Sequence, residues 1–283
     1  MWIPRPAACA EYSEETGMKK HIENKTYHVE ILPPKQDTEK LETDLENFSV
    51  KFNRVMESGY CACLTDNAMG NLAFQGTEMI EELGLEPRKD LVMIHLNTFH
   101  TKGDLDRILD SCRTLKIRQL LVISGDGSDR LPKLSPADVG ATDTEAVTSV
   151  ELLRYIGREY PGDFELGVAF NPYEPEEHEF AKMERKLAAG AVFIITQPVI
   201  ERHEVVDRLL AKYPGIPVIV EAWMSKKIDL LSEAVGYEIK TATDPFDPIA
   251  TLKILHKNYL GCGVYLSLLG FKTQYDLIKD TWQ

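Results

Sequence analysis

Eight short apolar runs, separated by longer amphipathic stretches, set the strongest limit on what this chain can fold into. They are YHVEIL (27–32), YCACLT (60–65), LVMIHL (91–96), QLLVIS (119–124), FELGVAF (164–170), VFIITQ (192–197), IPVIVEA (216–222) and GVYLSLL (263–269). Each is too short for an ordinary helix and rich in strand-forming residues. They are apolar almost without interruption, the pattern of a parallel sheet covered on both faces. Helical periodicity fills the gaps, over about 38–58, 76–83, 103–115, 145–159, 175–189, 201–212 and 226–234, with a closing helix from about Thr273. Strands alternating with helices imply βαβ units, and eight such units imply an α/β fold of the (β/α)8 TIM-barrel type. An open doubly wound sheet is the alternative, but no GxGxxG follows the first strand. The expected organisation is an N-terminal extension over 1–24 and one barrel domain over 25–283.

Composition narrows the function. The formal net charge is -13 and the basic residues are dispersed, which argues against nucleic acid as a partner. No run approaches the roughly 20 apolar residues of a membrane span, and the N-terminus is a poor signal peptide. The five cysteines are odd in number and scattered, so a disulfide framework is not expected and a reducing, cytoplasmic setting is. Cys61 and Cys63 fall on one face of a strand with no histidine pair near them at zinc-ligand spacing, which favours packing, and no metal is expected. Any anionic ligand must be held by a few local cations and helix N-termini.

In a barrel, chemistry belongs at the C-terminal ends of the strands. Glu30 lies inside the first apolar run, just before Pro33-Pro34. It is either a solvated edge charge or a buried acid whose pKa is raised toward neutrality. The second run ends in Thr65-Asp66-Asn67, and the third carries His95, a packed residue or a ligand contact. In Ser124-Gly125-Asp126-Gly127 the glycines permit close backbone approach, and Asp126 either caps the turn or meets a ligand ring. Asn171 ends the fifth run. Gln197 brings an amide to an apolar strand and needs partners from a ligand or a neighbouring side chain. Lys186 reads as a helix charge, and Glu221 and Trp223 close the seventh run without a motif to assign them. GxSxG and Walker A sequences are absent.

Four of these segments, in order, resemble the methylenetetrahydrofolate reductase family. VEILPPK is similar to its first-strand motif, LVMIHLNTFH to its third strand and LLVISGDG to its fourth-strand end. GVAFNP with ERKLAAGAVFIITQP is similar to its fifth and sixth strands. Thr65-Asp66-Asn67 resembles the second-strand end of relatives fused to a homocysteine methyltransferase. The likeness runs from about residue 25 to 200. It implies a barrel enzyme of one-carbon metabolism that binds FAD and reduces 5,10-methylenetetrahydrofolate to 5-methyltetrahydrofolate with NADH or NADPH. Carried over by position, it makes Glu30 the proton donor and sets Asp126 beside flavin and pterin. Gln197 then contacts the folate, and Thr65, Asn67, His95, Asn171 and Lys186 bind the cofactor. A homo-oligomer is expected, with a partner subunit as a further option. A subunit inactive alone and a flavin-independent reductase on the same barrel are the alternatives.

Overall fold

In the computed structural model, which describes residues 16–241 and 245–282, eight parallel strands close into a barrel in sequence order. The strands are β1 (Tyr27–Ile31), β2 (Cys61–Leu64), β3 (Val92–Leu96), β4 (Gln119–Val122), β5 (Glu165–Phe170), β6 (Phe193–Thr196), β7 (Val218–Trp223) and β8 (Gly263–Ser267). Closure is made by β1 and β8, which pair Tyr27 with Val264 and Val29 with Leu266. The helices are α1 (Gly17–Glu23), α2 (Leu41–Glu57), α3 (Gly76–Glu82), α4 (Lys102–Thr114), α5 (Ser149–Glu159), α6 (Glu176–Ala188), α7 (Glu204–Lys212), α8 (Ile228–Val235) and α9 (Pro248–Asn258). This is the expected (β/α)8 barrel.

The near-continuous apolar runs follow from the two covered faces. Val29, Leu64, Ile94, Leu120, Val168, Ile194, Val220 and Val264 belong to the large outer core that takes in the helices. The alternate residues, among them Cys63, Met93, Leu121, Phe193, Ile219 and Tyr265, form a separate inner core. Gly167 pairs with Phe193, and a Cβ at 167 would lie 2.0 Å from the Phe193 ring. The missing side chain on β5 is therefore what lets one phenyl ring fill the barrel.

Three local readings change. Residues 17–23, expected in an arm outside the barrel, form α1, which lies against the N-terminal ends of the strands. Its first amides, Gly17 N and Met18 N, donate to the Glu165 carboxylate at 2.9 and 3.4 Å, and Met18 is fully buried. Residues 1–15 of the expected extension lie outside the described residues. Helix α9 was not expected, yet Asp247-Pro248 announces it: Asp247 Oδ1 accepts from Ile249 N and Ala250 N, and proline stands at the first helical position. The closing helix expected from Thr273 is a series of turns and a short 3-10 helix, Ile278–Trp282.

Gly167→Ala should destabilise the fold by about 1–3 kcal/mol, the usual cost of overpacking a tight core. Urea unfolding of the variant measures this, and adding Phe193→Leu should recover part of the loss.

Candidate active site

The C-terminal ends of the strands surround a cavity of about 480 Å³. Glu30, Thr65, His95, Asp126, Asn171, Lys186 and Gln197 all line it, so the fold brings together most of the residues singled out along the chain. Glu221 and Tyr265 line it too.

Glu30 is placed by closure of the barrel. Its Oε2 accepts from Leu268 N at 2.9 Å, just past β8, and its Oε1 accepts from Tyr265 Oη at 3.4 Å. Leu268 holds a left-handed φ of 53°, uncommon for a branched residue, and that turn aims its N–H at the acid. Burial pushes the Glu30 carboxyl above its ordinary value, and the two hydrogen bonds oppose the rise in part. The solvated-edge reading of Glu30 does not apply. Tyr265 Oη also lies 3.4 Å from His95 Nε2. Burial takes the His95 imidazole down to about 4, so it is neutral at physiological pH.

Glu221 stands one strand away, paired across the β7–β8 ladder with Tyr265. Burial first, and then the charge of Glu30, hold its carboxyl well above the usual range, while a hydrogen bond with Ser267 opposes this. The charge of Glu30 thus disfavours ionisation of Glu221. Trp223 is turned away, with its indole N–H donating to Lys227 O at 3.2 Å, and packs with Leu231, Val235 and Phe246.

On the opposite wall, Lys186 reaches from α6 to donate to Ala169 O at 2.6 Å. Desolvation lowers its ammonium to about 8, partly offset by Glu179, so the helix-charge reading gives way to a half-buried cation at the strand ends. Glu179 in turn accepts from Asn171 N at 2.9 Å and pairs with Lys182 at 2.6 Å. The Asn171 Oδ1 accepts from Tyr173 N. Gln197 is fixed by its backbone, whose N–H donates to Phe170 O at 2.7 Å. Among the described residues its side-chain amide has no hydrogen-bond partner.

Asp126 is exposed on the loop after β4. Gly125 takes φ 78°, and a Cβ there would sit 2.6 Å from Asn97 Cβ. Only glycine lets this loop pass so close to the end of β3. In Thr65-Asp66-Asn67 the middle residue carries the architecture. Buried Asp66 accepts from Asn97 N (2.8 Å), Gln75 Nε2 (2.9 Å) and Asn67 Nδ2 (3.1 Å), and pairs with His100 Nε2 (2.7 Å). Asn67 also accepts from Ala73 N, so both ends of its amide are engaged within the protein.

The fold and this mouth define a (β/α)8-barrel protein in which a half-buried acid, an unpaired amide and a half-buried cation line one cavity. The profile of the family described as methylenetetrahydrofolate reductase matches residues 17–213. The chain belongs to that family, and this makes it an oxidoreductase of the folate type. A search of curated proteins finds no match. Solved structures with similarity include 2,3-dimethylmalate lyase, a PEP mutase/isocitrate lyase superfamily member, at 9% identity and TM-score 0.49, covering 94% of this chain and 84% of that one. Oxaloacetate acetylhydrolase follows at 12% and 0.48, covering 93% and 84%. Dihydropteroate synthase of Yersinia pestis is at 10% and 0.43, covering 85% of each chain. No helix among the described residues is long and apolar enough to cross a membrane.

Because Glu30 is raised in the folded state, its stabilising contribution is complete below the unfolded value of about 4.3 and is lost as pH rises through the folded value. Glu30→Gln should therefore gain stability over the native chain as pH increases from about 4 to about 8. Urea unfolding at both pH values checks this; a difference that shrinks with pH would contradict it.

Proposed function

We propose that the chain catalyses flavin-dependent reduction of 5,10-methylenetetrahydrofolate to 5-methyltetrahydrofolate, with NADH or NADPH as reductant. The observation that carries the reading is Glu30, a carboxyl with a raised pKa beside Tyr265, in the cavity that Gln197 enters from the far side. Family membership supports a substrate of the folate type.

The lining fits FAD by the chemistry of its donors. Lys186 provides a cation, Thr65 a hydroxyl, Asn171 an amide and His95 a neutral imidazole, while the Ser124–Asp126 loop offers backbone close to the cavity. Thr65, His95, Asn171 and Lys186 would hold the cofactor, with Asp126 beside both it and the pterin. Asn67 would act through its backbone, since its amide is already engaged. Bound FAD would supply two-electron hydride chemistry between nicotinamide and folate.

The chain's own residues do the proton work and the positioning. A protonated Glu30 donates to the bridging nitrogen of the methylene group, the carbon–nitrogen bond opens, and the remaining nitrogen takes up the positive charge as an iminium. That carbon then accepts hydride and becomes the methyl group. Burial raises the proton affinity of Glu30 above that of an exposed carboxyl, the direction a general acid needs. Leu268 and Tyr265 fix its two oxygens. Gln197 offers donor and acceptor to the pterin edge, and a neutral His95 adds no competing charge.

Purified protein should be yellow, be bleached by NADH or NADPH without oxygen, and regain colour on adding methylenetetrahydrofolate as 5-methyltetrahydrofolate forms. A colourless protein that binds no added FAD would overturn the flavin-dependent reading, and turnover in that state would establish the flavin-independent one. Activity that needs a second protein would establish the subunit reading. Gln197→Ala should raise the KM for folate about tenfold, as for one lost hydrogen bond, and leave bleaching by nicotinamide unchanged.

A further inference from the structure

The opposite end of the barrel carries a second cluster that reduction of folate does not use. His21 of α1, His28 of β1 and Cys61 of β2 converge there, each offering one ligand atom, and the three atoms lie within 4.8 Å of one another. His28 and Cys61 are fully buried, and His21 is 4% exposed. Barrel floors are ordinarily filled by branched aliphatic side chains. Here the buried set is two imidazoles, a thiol and the amide of Gln119.

We propose that His21, His28 and Cys61 form the binding site for one zinc ion in the floor of the barrel. His21 Nδ1 and His28 Nε2 face each other at 3.0 Å. At that distance one ring donates its N–H to the other. In the metal-free protein one shared proton serves, and a metal ion can take its place. The outer nitrogens, His21 Nε2 and His28 Nδ1, complete no hydrogen bond inside the protein. A metal-bound imidazole usually donates its outer N–H to a carboxylate, a backbone carbonyl or a water.

The ligand set selects the metal. Two imidazoles and a thiolate suit zinc and are poor for calcium or magnesium, which take oxygen. Tetrahedral zinc, with bonds of about 2.0–2.1 Å to nitrogen and 2.3 Å to sulfur, sets nitrogen ligands about 3.3 Å apart. The two histidines are within a few tenths of an ångström of that. Gln119 adjoins the fourth position: its Oε1 lies 3.7 Å from Cys61 Sγ and its Nε2 has no partner. Binding releases one proton, from the Cys61 thiol, while the His21 proton moves from Nδ1 to Nε2. Because α1 closes over the cluster, the ion would enter as the chain folds and would pin α1 to β1 and β2.

The test is refolding of the full chain from denaturant with Zn2+ or Co2+, followed by exhaustive dialysis. One zinc per chain should be retained, and the cobalt form should show a thiolate-to-cobalt charge-transfer band. Cys61→Ser should abolish that band, and His21→Gln should lower retained zinc at least tenfold, each with an unchanged far-UV circular dichroism spectrum. Folded native protein that keeps no stoichiometric zinc overturns the proposal, as does a thiolate band that persists in Cys61→Ser. If a variant fails to fold, the native chain decides: its melting temperature must rise with Zn2+ and not with Mg2+. Equal response to both ions also overturns the proposal.

Discussion

The hydrogen bond from Leu268 N to Glu30 joins the first strand to the turn after the last, and the candidate site depends on it. Glu30 cannot be positioned until β8 has paired with β1, because both of its protein partners, Leu268 and Tyr265, belong to the closing strand and its turn. Closure also buries the acid and so changes its chemistry: the contact that orients the carboxylate forms in the same step that raises its proton affinity. The left-handed backbone of Leu268 is local strain kept at the rim of the candidate site.

The barrel is polar at both ends and apolar between them. At the mouth, Glu30, Glu221, Tyr265 and His95 surround space for a ligand. At the floor, His21, His28, Cys61 and Gln119 are enclosed by α1. Cys63, Met93 and Phe193 separate the two, with Phe193 taking the volume that Gly167 leaves.

Much of the architecture was legible along the chain, because each strand runs apolar on both faces and each helix carries its own period. Glu30 and Gln197 stood out locally as polar groups in apolar strands. Tyr265 did not: a tyrosine in a strand looks like core, and its role follows only from meeting Glu30, 235 residues away. His21, His28 and Cys61 were hidden for the same reason, since they come from a helix and two strands at no recognisable ligand spacing. Asp66 was legible as part of a motif, but its function as the hub of four side-chain and backbone contacts depends on β3 lying beside it. Helix α9 was missed although Asp-Pro marks its start, because its own apolar period is weak.

The central claim is that Glu30 supplies the proton that opens the methylene bridge. The most direct measurement is rapid mixing of reduced protein with methylenetetrahydrofolate in the absence of oxygen, comparing the native chain with Glu30→Gln. The account predicts that reduction by nicotinamide is unaffected by the substitution while reoxidation by the folate slows about 10²-fold or more. Equal rates of reoxidation in the two proteins would contradict it.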